Sequence, residues 1–303
     1  MPLDPARAKV VEKLLSTPIL AEDPQIAQDL EIVVKDMIEL LGHHHPLSND
    51  RLTLKRFLVA RKLKIEDAKV MIDDHMAWRA ATLPVAVTPA IVAELKKGKI
   101  ELFGKDVVGR PVIIVRSCRF DPKERDINVA IQALVYLLEK IIHDHPPETS
   151  FVIFYDRTDF SLRARRGARA PFEPLHLVNM RVPRRIAQPR SVPRARTGKN
   201  WDFEFLKAVA GVLSGNFPEK LAGAYLYPAS SILAGLWKLV QPFFEPRTRS
   251  KVRIITSVSE LLSLIPAEYV PIAAGGTSTH TFDPAMFDNL LPAAAPAGVV
   301  EVS

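Results

Sequence analysis

The apolar positions in the first third of the chain follow a helical period. Residues 26–41 repeat at three and four and are followed by Gly42, where a helix C-terminal cap is expected. Asp50 is placed to cap a second helix, and the apolar stripe of a third helix runs from Ala68 to Trp78. The apolar stripes consist of Ile26, Leu30, Val33, Met37 and Leu41; Leu54, Phe57 and Leu58; and Ala68, Met71, Ile72, His75 and Trp78. This pattern predicts a small helical bundle over about residues 26–81.

The pattern changes after residue 90 to short runs that are apolar at nearly every position. These runs cover residues 112–117, 151–156, 222–227 and 252–257, and helical periods occupy 127–143 and 202–214 between them. Continuous apolar runs are typical of strands buried on both faces of a sheet covered by helices. We therefore expect an α/β fold, with a helical region over 1–83, an α/β domain over 90–280 and a flexible tail over 284–303.

The composition is typical of a folded protein and also bears on its location in the cell. The 303 residues are 48% hydrophobic, and Cys118 is the single cysteine, so no intramolecular disulfide can form. The N-terminus lacks the unbroken apolar core of a signal peptide, and no apolar run reaches the ~18 residues of a membrane span. We expect a cytoplasmic monomer whose contact with membranes is transient and peripheral.

The net charge of +7 comes from one segment. Residues 164–199 hold nine arginines and Lys199 against a single acid, Glu173, whereas 31 basic and 33 acidic residues outside it leave a net charge of −2. A nucleic-acid partner is therefore not expected for the folded part. The segment also holds five prolines and has no apolar period, which indicates an insertion. It is either a genuine lineage-specific loop or translated intron sequence.

The sequence offers no catalytic constellation and no metal site. Ser214 in GVLSG is one place late for a Gly-x-Ser-x-Gly elbow, and no Gly-rich loop ends in Gly-Lys-Ser/Thr. His43, His44 and His45 are adjacent in a loop, and adjacent side chains diverge, so a solvated loop is favoured over a metal site. We expect a protein that is not an enzyme and has no cofactor other than a bound lipid.

Several segments together resemble the CRAL-TRIO lipid-binding family. They are LTLKRFLVARKLKIEDAKVMIDDHMAWR, GRPVIIV, FPEKLAGAYLYPA, LWKLVQPFFEPRTRSKVRIITS and IPAEYVPIAAGGTS, in family order from about Leu52 to Ser278. The resemblance implies a helical bundle packed on an α/β domain whose sheet floors an apolar lipid pocket. It also implies that a mobile gate helix closes the pocket.

In phosphatidylinositol transfer members, a set of polar residues holds the inositol phosphate head group. The resemblance places this set on Arg61, Lys62, Glu219, Thr248 and Lys251, and it places Ser161 near a phosphatidylcholine phosphate. Cations that contact a phosphate and a carboxylate that accepts from inositol hydroxyls are chemically suitable. Taken singly, Arg61 and Lys62 at the end of a helix could instead complement the helix dipole.

One departure from the family pattern concerns a second lipid, phosphatidylcholine. Leu102 and Ile113 replace two tyrosines that contact the choline lipid in some fungal members, so exchange for phosphatidylcholine is not implied.

The gate segment, 231–244, carries an apolar face that could contact a membrane or could pack inward as core. This face consists of Leu233, Leu236, Trp237, Val240, Phe243 and Phe244.

The sequence thus predicts a protein that binds one phospholipid, with phosphatidylinositol favoured, and moves or presents it between membranes. The alternative is a lipid-sensing regulatory protein with another hydrophobic ligand, whose basic insertion recruits an anionic partner.

Overall fold

A computed structural model describes residues 24–120, 126–158, 203–244 and 246–290. Three helices come first: α1 (Pro24–Leu41), α2 (Arg51–Ala60) and α3 (Ile65–Thr82). Gly42 adopts a φ of +83° after α1, and the Asp50 side chain accepts a 2.9 Å hydrogen bond from the Thr53 amide at the start of α2. The three helices share one apolar cluster that includes Val34, Met37, Leu54, Leu58 and Ile72. The predicted caps and stripes are confirmed where the side chains are described.

The second part is built on a five-stranded sheet. Its strands are β1 (Ile100–Lys105), β2 (Pro111–Arg116), β3 (Phe151–Asp156), β4 (Leu221–Tyr227) and β5 (Val252–Ile254), which lie side by side in chain order. Strands β2 to β5 are parallel, and β1 pairs with β2 antiparallel. The helices are α4 (Pro89–Lys96), α5 (Ile127–Asp144), α6 (Phe203–Asn216), α7 (Ser231–Val240), α8 (Pro246–Ser250) and α9 (Val258–Leu262).

The two faces of the sheet bury different partners because alternate side chains of a strand point in opposite directions. Val112, Val152 and Phe154 pack against the C-terminal segment, including Ile255 and Leu261. Ile113, Phe151 and Leu221 on the other face pack against α5 and α6 through Leu138 and Leu213. A sheet covered on both sides explains why β2 to β4 are apolar at almost every position.

Three features differ from the sequence prediction. Strand β1 was not predicted, because Glu101, Gly104 and Lys105 interrupt its apolar pattern; as an edge strand it needs fewer apolar residues. Strand β5 ends at Ile254 rather than at residue 257, because the Ser257 side chain accepts from the Glu260 amide and caps α9.

The tail also begins later than Pro284. Residues Pro284–Leu290 form a 3-10 helix, and Phe287 is 5% exposed within an apolar cluster with α4. The Lys96 Nζ lies 2.5 Å from Asp288 Oδ1 and adds an ion pair to that contact. Apolar burial of Phe287, with Phe282 and Leu290 packed beside it, stabilises this turn, which composition alone marked as flexible. The insertion predicted at 164–199 lies outside the described residues.

Candidate functional site

A large cavity, here called the central cavity, lies between the sheet and helices α5, α6 and α7. It holds about 1190 Å³ of empty space, counting the solvent at its mouth. No charged side chain is among the described residues that line it. They are Ile100, Ile113, Val115, Phe120, Leu134, Leu138, Ile153, Tyr155, Phe205, Leu206, Val209, Leu213, Leu221, Ala224, Leu226, Leu233, Trp237, Val240, Phe244, Thr248 and Val252. Such a wall suits hydrocarbon and excludes ionised groups.

The polar groups in this wall are few. Burial raises the pKa of the Tyr155 phenol well above its ordinary value, so the hydroxyl stays neutral and can donate a hydrogen bond at any physiological pH. Thr248 lies in α8 on the way into β5. A cavity with this lining binds apolar chains without selecting among them, and any selectivity must come from polar groups at its ends.

Helix α7 and the 3-10 turn Gln241–Phe243 form one wall of the cavity. Leu233 is 1% and Val240 7% exposed, and both line the cavity with Trp237 and Phe244. Phe243, by contrast, is 40% exposed, and the Leu236 side chain lies outside the described residues. The other described residues of the predicted gate face therefore cover the cavity, whereas Phe243 is turned outward together with Leu239, which is 64% exposed.

The polar residues of the PRTRSK and FPEK motifs meet at the edge of the sheet where the parallel strands begin. The Glu219 carboxylate is 8% exposed, and its Oε2 lies 2.8 Å from Lys251 Nζ and 2.8 Å from Arg247 Nε. Glu219, Arg247 and Lys251 are called the amino-edge cluster below. Lys251 also donates its backbone amide to the Thr248 carbonyl at 3.1 Å, which places the cluster next to a cavity-lining residue.

Arg61 and Lys62 lie apart from that cluster, after the end of α2. Arg61 lines a separate groove with Asp67, Asp74 and the C-terminal end of α6 at Gly215 and Asn216. Lys62 is exposed. The structure thus brings Glu219, Thr248 and Lys251 together and leaves Arg61 and Lys62 at the neighbouring end of α6. Ser161 lies outside the described residues.

Backbone strain coincides with two of the predicted positions. Lys62 and Glu219 have φ values of +53° and +56°, in the left-handed region that costs a residue with a side chain about 1–2 kcal/mol. Strain of this kind concentrates at functional sites, where the surroundings hold it in place. The observation supports a special role for both turns without assigning a ligand to them.

Sequence reasoning missed Arg247 and two buried cations behind the cluster. Arg247 belongs to the same motif as Thr248 and Lys251, so the motif itself held the signal. Arg56 and Lys220 both donate to the Pro147 carbonyl, at 2.9 Å and 2.8 Å. Burial, reinforced by the Arg56 guanidinium, lowers the pKa of Lys220 to about 8. These bonds join α2 to the start of β4, and no periodic signal in the sequence identifies them.

Two kinds of feature are absent from the part of the chain that the structure describes. Within the described ranges, no group of three or more histidine, cysteine or acidic residues is arranged to hold a metal ion. No helix in those ranges is both long enough and apolar enough to cross a membrane.

Comparison with known proteins agrees with this geometry. The chain is 22% identical to the phosphatidylinositol transfer protein CSR1 of Eremothecium gossypii over 83% of its own length and 52% of that protein. It is 25% identical to the phosphatidylinositol/phosphatidylcholine transfer protein SFH4 of Arabidopsis thaliana over 90% of its length and 43% of that protein. The chain therefore spans about half the length of the curated relatives that it matches.

A solved structure and a family model also match this chain. The crystal structure of Sfh5 superposes with a TM-score of 0.52 at 12% identity, covering 93% of this chain and 91% of that one, which supports the fold alone. The model of the CRAL/TRIO domain matches residues 95–174 and 195–276, and the gap of residues 175–194 falls inside the predicted insertion. Because that match covers more than half of the sequence, the chain belongs to the CRAL/TRIO domain family.

Proposed function

We propose that this protein binds one phospholipid, with phosphatidylinositol as the favoured ligand, and transfers or presents it between membranes. The acyl chains occupy the central cavity, and the head group lies at the amino-edge cluster. The observation that supports this most directly is an uncharged apolar cavity that ends beside Thr248, Lys251 and Glu219.

The cavity explains why a carrier is useful. Exposure of a lipid with about thirty methylene groups to water costs on the order of 20 kcal/mol, at ~0.8 kcal/mol per group. An apolar cavity removes that cost, but the free energy of the acyl chains in such a cavity is about the same as in the bilayer interior. Affinity for one lipid over another must therefore arise at the head group.

The amino-edge cluster has the groups that such selection needs. Two cations, Arg247 and Lys251, flank one carboxylate, Glu219, and a cation of either kind can form charge-assisted hydrogen bonds with a phosphate. Glu219 can accept hydrogen bonds from inositol hydroxyls, and Thr248 can donate or accept. Similarity to relatives named as phosphatidylinositol transfer proteins is consistent with this assignment.

The membrane step follows from helix α7. Its inner face closes the cavity, and outward displacement of the helix would open it while Leu239 and Phe243 enter the lipid interface. An amphipathic helix that covers a cavity is suited to couple membrane contact to ligand exchange.

Mass spectrometry of lipids that co-purify with the protein tests the proposal. We expect one phosphatidylinositol per chain, and transfer of labelled phosphatidylinositol between vesicles to exceed transfer of phosphatidylcholine or phosphatidic acid. Recovery of a different lipid class, without transfer of phosphatidylinositol, would contradict the assignment and favour the lipid-sensing alternative.

A further inference from the structure

A small chamber, here called the side chamber, adjoins the central cavity and contains a buried charge. It holds about 290 Å³ of empty space, counting the gaps between atoms and the solvent at its opening, and shares Ile100, Phe120, Leu134 and Phe205 with the wall of the central cavity. Lys99 and Glu94 also line it, and their side chains are 7% and 9% exposed. A buried ion pair beside a hydrocarbon-lined cavity is costly unless the site uses its charge.

Two lysines share the carboxylate of the side chamber. Lys99 Nζ lies 2.7 Å from one oxygen of Glu94, and Lys97 Nζ lies 2.7 Å from the other. Burial opposes ionisation of Glu94, but the hydrogen bonds from Lys97 and Lys99 outweigh burial and hold its pKa below the ordinary value. Glu94 is therefore ionised, and Lys99 shares this carboxylate with Lys97.

Lys99 also has unused hydrogen-bonding capacity. An ammonium has three N–H donors, and among the residues that the structure describes, Glu94 accepts the one hydrogen bond of Lys99. The ammonium otherwise lies 5.4 Å from the centre of the Phe120 ring, which lines both cavities. Buried donors without acceptors are unfavourable, so an oxygen acceptor delivered through the cavity would be stabilised there.

The local fold presents Lys99 at the far end of the central cavity. Gly98 has a φ of +59° and turns the chain from α4 into β1, and a Cβ there would overlap the rings and guanidinium of Phe282 and Arg119. The Lys99 carbonyl then accepts from the Arg116 amide at the carboxyl end of β2. The amino-edge cluster lies at the opposite end of the same parallel strands, about 20 Å away for six residues at ~3.3 Å each.

We propose that Lys99 anchors a second class of ligand, a single-chain amphiphile with one carboxylate, whose acid group enters the side chamber while its chain lies in the central cavity. A carboxylate is compact, and its oxygens can accept hydrogen bonds from the N–H groups of Lys99 that Glu94 does not use. The site is separate from the amino-edge cluster, so it does not require phosphatidylinositol to be the principal ligand.

Binding of a fluorescent polyene fatty acid and of its uncharged methyl ester to the delipidated full chain tests this inference. We expect the wild type to prefer the acid and Lys99→Met to weaken acid binding at least about tenfold, with ester binding within twofold. Lys97→Met is the matched control, because Lys97 has the same acid partner but is 40% exposed; it should leave both affinities within twofold. Equal acid binding by wild type and Lys99→Met, or equal loss of both ligands, would overturn the proposal.

A second variant keeps the test decisive if Lys99→Met does not fold. Glu94→Gln removes the carboxylate that competes for Lys99, so we expect tighter binding of the acid and unchanged binding of the ester; unchanged or weaker acid binding would refute the proposal. Transfer of phosphatidylinositol by a folded Lys99 variant should stay within twofold of the wild type. Loss of that transfer would overturn the separation of the two sites, whereas absence of transfer in the wild type bears only on the proposed function.

Discussion

Replacement of Lys251 by alanine tests the head-group assignment most directly. In the structure, the Lys251 ammonium lies 2.8 Å from Glu219 Oε2, and its side chain is 19% exposed. Glu219 keeps Arg247 as a second partner at the same distance, so the substitution does not leave a buried carboxylate unpaired. The fold should therefore tolerate Lys251→Ala, and an effect on ligand binding can be separated from an effect on stability.

The expected magnitudes follow from these contacts. Loss of one of two ion pairs to Glu219 should lower the free energy of unfolding by on the order of 1 kcal/mol, or about 2–4 °C in Tm. Loss of a charged hydrogen bond to a phosphate should weaken lipid binding by about 1.5–3 kcal/mol, which corresponds to a factor of roughly 10 to 100 in Kd.

The assay is transfer of fluorescently labelled phosphatidylinositol between vesicles, with thermal unfolding measured on the same preparations. Arg253→Ala is the matched control, since it also removes one positive charge but lies one position after cavity-lining Val252, where strand alternation turns it away. We expect Arg253→Ala to transfer phosphatidylinositol like the wild type. A Lys251→Ala protein with normal stability and an unchanged transfer rate would show that the amino-edge cluster does not hold the head group.

Three other predictions concern the gate, the buried lysine and the insertion. Trp237→Glu places a carboxylate in the cavity wall and should reduce the amount of co-purified lipid, measured by lipid analysis. Leu239→Glu, at an exposed position, should weaken vesicle binding in a flotation assay and leave bound lipid unchanged. The opposite pattern would place the membrane face elsewhere. The pKa of Lys220 is lowered to about 8, so its charge destabilises the fold below that pH, and this penalty disappears towards pH 10.5. In denaturant titrations, the unfolding free energy of the wild type relative to Lys220→Met should therefore rise by up to about 3 kcal/mol between pH 8 and 10.5. A constant difference between the two proteins would argue against the lowered pKa. Deletion of 164–199, joining Arg163 to Asn200, should leave folding and lipid binding intact, because a long loop costs closure entropy. Loss of folding or of lipid binding would show that the protein needs this segment. Sequencing of the transcript separates a genuine loop from a retained intron.

Local sequence patterns were enough to predict the helical bundle, four strands buried on both faces and the residue types of the candidate site. Continuous apolar runs such as FVIFYD identify strands buried on both faces, and Asp50 and Gly42 identify helix ends, because these signals depend on neighbours within one turn or one strand. The motif resemblance supplied Glu219, Thr248 and Lys251, and the fold places these three residues at one edge of the sheet.

What each side chain faces depends on how the helices and strands pack in three dimensions. The same apolar stripe on α7 could have met a membrane or a cavity, and in the structure it lines the cavity together with residues of α5, α6 and the sheet. The side chamber was equally invisible, since Glu94 and Lys99 look like ordinary surface residues until α4, β1 and Phe120 enclose them. Burial and pairing of charges depend on residues far apart in the chain, and a periodic pattern records only which residues are neighbours along it.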